Sequence, residues 1–145
     1  MVRISRLSDY GIQMLAALAR RPGEGLSSRG VAEAADIPEP TVRKLLKALS
    51  KAQLLISRRG VQGGYWLARP PEEISVAEII AAIEGPIALT ECNVPGDNRC
   101  ERKSCPMRGS WQAINQLIQG TLSHLSLSQM VAQAVPTQTP SGGHP

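Results

Sequence analysis

The chain has 145 residues, with 16 Lys and Arg against 12 Asp and Glu, a net charge of +4, no Phe and three Cys. It holds no apolar run of about 18 residues, which excludes a membrane-spanning helix. The opening Met1-Val2-Arg3-Ile4-Ser5-Arg6 lacks the apolar stretch of a secretory signal, so a cytoplasmic protein with no membrane partner is expected. In a reducing compartment an odd set of three thiols is not a disulfide scaffold. With two His, no phosphate loop and no acid pair, neither an enzyme nor a small-molecule substrate is expected.

The charge is unevenly placed. Residues 1–71 carry 12 Lys and Arg against 5 Asp and Glu, whereas residues 72–145 carry 4 against 7. A basic half beside an acidic half points to a polyanion as the partner of the first half, the alternative being a well-solvated basic surface. The first apolar pattern, Ile12, Leu15, Ala16 and Ala19, has helical spacing. Ser8 is expected as its N-cap, with Asp9 in the first turn, and Arg20-Arg21-Pro22-Gly23 closes it. Ser27 or Ser28 caps a second, short helix with Val31, Ala32 and Ala35 inward, ending at Asp36-Ile37-Pro38. A third helix opens at Pro38–Pro40, where Pro is tolerated in the first turn. Its inner face is Val42, Leu45, Leu46 and Leu49, and its outer face Arg43, Lys44, Lys47 and Lys51. Two helices so joined, the second cationic outside, form a helix-turn-helix pattern. The short apolar runs Leu54–Arg58 and Tyr65–Ala68 flank Arg59-Gly60-Val61-Gln62-Gly63-Gly64 and predict a β-hairpin, the wing of a winged helix.

Ser75 caps a fourth helix with Val76, Ile79, Ile80 and Ile83 inward, stopped by Gly85-Pro86. Residues 90–106 are a polar loop with all three Cys. A long helix is predicted from Pro106 to His124, striped by Met107, Trp111, Ile114, Ile118 and Leu122, with Leu117 and Leu125 flanking. A further turn of helix is expected around Ser128–Ala134, and the tail Pro136–Pro145 is expected to be disordered. The predicted fold class is mostly α with a small β-hairpin wing. In that plan residues 1–71 are the winged helix-turn-helix, 72–89 a connecting helix, 90–106 a cluster-binding loop, 107–134 the dimerisation helix region and 135–145 a disordered tail. The stripe of the long helix has no obvious local partner, and readers of this motif commonly bind as two-fold dimers, so a homodimer is expected.

For double-stranded DNA the candidate contacts are Glu39, Thr41, Arg43 and Lys44 near the start of the third helix, with Ser28 at the start of the second. Arg43 can pair with guanine O6 and N7, and Glu39 can accept from cytosine N4. Lys47 and Lys51 lie further along and suit phosphates, while Arg58 and Arg59 on the wing suit a narrow minor groove.

Cys92, Cys100 and Cys105 form a C-x7-C-x4-C pattern. The lack of a C-x2-C pair counts against zinc ribbons, while three thiols on one loop suit the soft irons of an iron–sulfur cluster. Pro106 as the first helical residue would make Cys105 the N-cap, where the helix dipole favours a thiolate. Arg99, Arg102, Lys103 and Arg108 surround the loop and would offset an anionic cluster. Three ligands leave one position short, to be filled from elsewhere in the chain or by the other subunit.

These features together resemble the Rrf2 family of winged-helix transcription regulators. They are the opening Met1–Gly11, the helix-turn-helix at Ser27–Lys51, the wing Arg58–Tyr65, the Val76–Ile80 helix and three Cys before Trp111, so that the match spans roughly residues 1–133. The resemblance leans to the branch that regulates SUF-type iron–sulfur assembly genes. It implies a homodimer that holds a cluster through Cys92, Cys100 and Cys105 and whose cluster occupancy alters DNA binding. IscR-like members place a His three residues after the last Cys, where this chain has Arg108, which cannot ligate. NsrR-like members use an Asp near the start of the partner's first helix, which Asp9 matches. The Cys spacing departs from the family's commoner five-residue gaps and leaves both 2Fe–2S and 4Fe–4S open. Nitric-oxide sensing and thiol-redox sensing without metal are the alternative readings.

Overall fold

The computed structural model describes residues 2–96, 100–102 and 104–134. The elements run α1 (Arg6–Ala19), α2 (Ser28–Ala35), α3 (Glu39–Lys51), β1 (Leu55–Arg58), β2 (Gly64–Leu67), a 3-10 turn (Pro71–Glu73), α4 (Val76–Glu84), a second 3-10 turn (Glu91–Asn93), α5 (Arg108–His124) and α6 (Leu127–Gln133). The architecture is mostly helical with one two-stranded antiparallel hairpin, as expected.

The caps are local and mostly as the sequence reads. Ser27, not Ser28, caps α2, its hydroxyl oxygen accepting from the Gly30 N–H at 3.0 Å. The cap of α1 is a correction. Ser5 has extended backbone and accepts from the Ser8 N–H at 3.1 Å, so the helix starts one turn earlier than Ser8 implied. Ser8 itself lies inside the helix and is fully buried. The face of α1 at the centre of the core is Met14, Leu15 and Leu18, with Ile12 and Ala19 at its margin.

That core is a cluster of aliphatic side chains. Met14, Leu15 and Leu18 of α1 meet Val31 of α2, the Val42, Leu45, Leu46 and Leu49 stripe of α3, Leu54, Ile74, Ile79 of α4 and Leu127 of α6. The stripe of α3 is buried throughout while Arg43, Lys44, Lys47 and Lys51 stay exposed, so apolar burial on one face orients the cationic face outward. Backbone bonds tie α6 to the start of α4. The Leu127 N–H donates to the Ile74 carbonyl and the Val76 N–H to the Leu125 carbonyl, both at 2.8 Å.

At α4, Ser75 and Glu78 form a capping box. The Ser75 hydroxyl oxygen accepts from the Glu78 N–H at 3.1 Å, and a Glu78 carboxylate oxygen accepts from the Ser75 N–H at 2.8 Å. Arg69, just past the wing, donates to the other Glu78 oxygen at 2.7 Å. Partial burial pushes the Glu78 carboxyl up, but the Ser75 and Arg69 hydrogen bonds and the Arg69 charge outweigh it and hold Glu78 below its usual range. A lowered folded-state value means that this stabilisation is present above the ordinary carboxylate range and is lost as pH falls through the lowered value. Ser75→Ala is expected to cost about 1 kcal/mol. Glu78→Gln should leave a shallower loss of stability on the acid side, and urea unfolding between neutral and acid pH measures both.

Candidate nucleic-acid interface and cysteine loop

Where α2 and α3 meet, three of the expected DNA residues are gathered. The Ser28 hydroxyl donates to Glu39 Oε1 at 3.4 Å, and Arg43 donates to the same oxygen at 2.9 Å. The Arg43 and Glu39 side chains are 69% and 35% exposed, so the pair is worth only a few tenths of a kcal/mol. A base edge can therefore displace it cheaply. Thr41 is half-buried beside it, and Lys44 and Lys47 continue the open face. Sequence reasoning named these residues singly; the shared Glu39 oxygen follows only from the packing of α2 on α3.

The wing is held near its turn. Leu26, in the loop before α2, pairs with Tyr65 through two backbone bonds of 3.2 and 2.8 Å, adding a bridge on the outer side of β2 one residue from its start. At the tip, a Cβ on Gly63 would collide with the Arg58 carbonyl, so the turn requires glycine there. A Cβ on Gly25 would collide with the Trp66 ring, which packs against that backbone. Trp66 is a residue the sequence reading passed over as a strand apolar. The Arg58 guanidinium sits over its ring at 5.2 Å from the centroid, a cation–π contact. Trp66 pairs across the strands with Ile56, two positions from Gly64 opposite Arg58, so Trp66 and Arg58 share a face, and that hairpin register was the available signal. Arg59 projects free at the tip.

Cys92 lies in the 3-10 turn Glu91–Asn93, and Cys92, Cys100 and Cys105 are all free and half-buried. Cys105 is not the N-cap of α5. Pro106 and Met107 form a turn in which the Arg108 N–H bonds back to the Cys105 carbonyl at 3.3 Å, and Met107 is the cap residue. The helix thus starts two residues later than Pro106 suggested, because the turn takes up the residues that would have formed its first turn. Arg108 also donates to the Arg102 carbonyl at 3.3 Å, while Arg99 and Lys103 lie outside the described residues, as does the expected disordered tail 135–145. On the first stem of the loop the Thr90 hydroxyl is 3.1 Å from Cys92 Sγ. Buried Asn115 of α5 bonds the segment just before it, a residue the sequence reading missed although it interrupts an apolar stripe. Asp9 is exposed, with Gln13 donating to it at 3.0 Å, and among the described residues it belongs to no group of three or more potential metal ligands. Among the described residues no three His, Cys, Asp or Glu converge on a metal position within one chain.

The donor set nevertheless fits an iron–sulfur cluster in kind: three unpaired thiols, soft ligands, on one polar loop. On α5, Met107, Trp111, Ile114 and Leu117 are 53%, 42%, 40% and 71% exposed, an uncovered apolar face. The C-terminal half of α5 borders a groove of about 970 Å³ whose lining includes Arg3, Arg6, Asp9, Ile80 and Leu122. No helix among the described residues is long and apolar enough to cross a membrane.

Comparison with known proteins agrees with this fold. The family model Rrf2, described as "Iron-dependent Transcriptional regulator", matches residues 4–133. The transcriptional repressor NsrR of Streptomyces coelicolor is 28% identical over 134 residues, covering 90% of this chain and 89% of that protein. The structure of CymR, the global cysteine regulator of B. subtilis, superposes with a TM-score of 0.75 at 29% identity, covering 93% of this chain and all of that one. IscR of T. potens superposes with a TM-score of 0.72 at 31% identity, covering 97% and 94%.

Proposed function

The chain belongs to the Rrf2 family of transcription regulators, and from that premise we propose that it binds operator DNA as a homodimer and senses iron–sulfur cluster status through its cysteine loop. The observation that carries this reading is the pairing, on one chain, of an outward cationic α3 face and wing with a polar loop of three free thiols. In this reading α3 enters the major groove, with Glu39, Thr41, Arg43 and Lys44 toward base edges, Ser28 and Lys47 toward the backbone, and Arg58 and Arg59 toward the minor groove. The exposed face of α5 is the dimer contact.

Cys92, Cys100 and Cys105 would hold the cluster, and Asp9 of the partner subunit would complete its ligand set. When bound, such a cluster supplies a centre that responds to iron supply, oxidants or nitric oxide. What the chain's own residues contribute is mechanical. The cysteine loop is continuous with α5, and α1 carries both Asp9 and core contacts to α3. A change in how the loop sits against the partner's α1 is therefore a change in how the two α3 helices are spaced. Half-sites lie about one helical turn apart, roughly 34 Å, so a small rotation alters operator affinity. As the resemblance to the SUF branch implies, the regulated genes are those of iron–sulfur cluster assembly.

One observation favours a second reading. The three thiols are unpaired and partly exposed, which suits a thiol-redox sensor that needs no metal. Purification without oxygen, followed by iron and sulfide analysis, absorbance and salt-dependent operator binding, separates the two. Iron with matching sulfide, lost in Cys92→Ala, Cys100→Ala or Cys105→Ala, is the expected result. Colourless, iron-free protein whose DNA affinity responds to oxidant supports the thiol switch instead. An unchanged cluster spectrum in Asp9→Ala removes Asp9 from the ligand set.

A further inference from the structure

We infer that Asn115 is the positioning residue for Cys92, fastening the first stem of the cysteine loop to α5 through the backbone at Ile87 and Leu89. This rests on the reading of that loop as the sensing site. Asn115 is 6% exposed and is the one residue of α5 that is buried. A buried amide is unfavourable unless both of its ends are bonded. Here both ends are used, and both on the same short segment. Asn115 Oδ1 accepts from the Leu89 N–H at 2.8 Å, and its Nδ2 donates to the Ile87 carbonyl at 3.2 Å. That segment belongs to no helix or strand, so these bonds are what set its backbone.

The chain continues from Leu89 directly to Thr90. Asn93 Nδ2 donates to Thr90 Oγ1 at 2.7 Å, which leaves the Thr90 proton free for the Cys92 sulfur 3.1 Å away. A ligated or ionised sulfur carries no proton, so in that state Thr90 is the donor. At the other end of the loop Cys105 lies three residues before α5 and is held to it by the chain itself. The same helix that offers an apolar face to a partner therefore grips both ends of the loop. Its hold on the Cys105 end is covalent, and its hydrogen bonds to the segment before Cys92 come from the Asn115 side chain.

The test uses the full chain, reduced and metal-free, so that it does not depend on cluster loading. In the wild type the Leu89 amide is expected to be protected from hydrogen exchange, although it lies outside any regular element. In Asn115→Ala, Leu89 exchange and Cys92 alkylation by iodoacetamide are each expected to rise about tenfold, while Cys105 alkylation stays within about twofold. Asn115→Asp keeps the acceptor for Leu89 and is expected to retain most of its protection, which guards against a general loss of fold in the alanine variant. An unprotected Leu89 amide in the wild type overturns the inference. So does a folded Asn115→Ala variant with unchanged Leu89 exchange and Cys92 reactivity. A wild-type chain that takes up no iron under any condition would instead overturn the cluster reading and leave these measurements standing.

Discussion

Leu127→Ala is expected to cost about 2–5 kcal/mol of folding stability, the range for truncating a fully enclosed leucine. Leu127 is wholly buried, and its side chain enters the same cluster as Leu15, Leu45 and Leu49. It arrives there because the chain leaves α5, passes Leu125 and Ser126, and pairs its backbone with Ile74 and Val76 at 2.8 Å. The Ser126 and Gln129 capping box then starts α6 against α1. Urea unfolding at fixed protomer concentration measures the effect, because the stability of the proposed dimer would depend on that concentration. A loss below about 0.5 kcal/mol, the size of an ordinary surface substitution, would mean that α6 is not part of the core. Deleting residues 125–134 should then be equally harmless, whereas the structure predicts that the deletion unfolds the winged helix.

A second large effect is expected at Arg43. If it donates to guanine in the major groove, Arg43→Ala weakens operator binding by about 1–3 kcal/mol and relaxes the preference at one base pair. Release from Glu39 subtracts little, since an exposed pair contributes at most about 0.5 kcal/mol. Lys47→Gln should behave differently. A phosphate contact carries no sequence information, so its loss weakens all sequences alike and lowers the salt-dependence slope by about 0.9. An operator selected from random duplexes with the full chain allows both to be measured. Equal, sequence-independent losses in the two variants would assign Arg43 to the phosphates and leave base readout to its neighbours.

Much of the fold was legible because its signals are local. The stripe Val42, Leu45, Leu46 and Leu49 has helical period, and burying it leaves Arg43, Lys44 and Lys47 no direction but outward. Ser75 and Glu78 stand three apart, the spacing of a capping box, and the box is present. The glycine-rich turn between Arg58 and Tyr65 had the composition of a hairpin tip, and Gly63 is required there by a backbone collision. Local signals also misled. Ser8 followed by Asp9 has the composition of a helix start, but Ser5 stands one turn earlier, and its extended backbone and the bond its hydroxyl accepts from the Ser8 N–H make it the cap. Cys105 followed by Pro106 also had the form of a helix start, yet the chain spends those residues on a turn.

The candidate site was legible as residues and not as a constellation. Ser28 and Glu39 share a hydrogen bond across 11 positions, and Asn115 reaches Leu89 across 26. Spacings of that size have no period to read, because they depend on how separate helices pack. The sequence by itself determined the helix-turn-helix, the wing, the basic face and the set of three thiols, since each follows from periodicity, turn chemistry or composition within a short window. Tertiary structure alone decided that the last helix closes the core through Leu127, that Trp66 carries Arg58, and that α5 grips the cysteine loop through Asn115. Those outcomes rest on burial and on partners distant in the chain, and a buried group finds its partner only when the chain has folded around it.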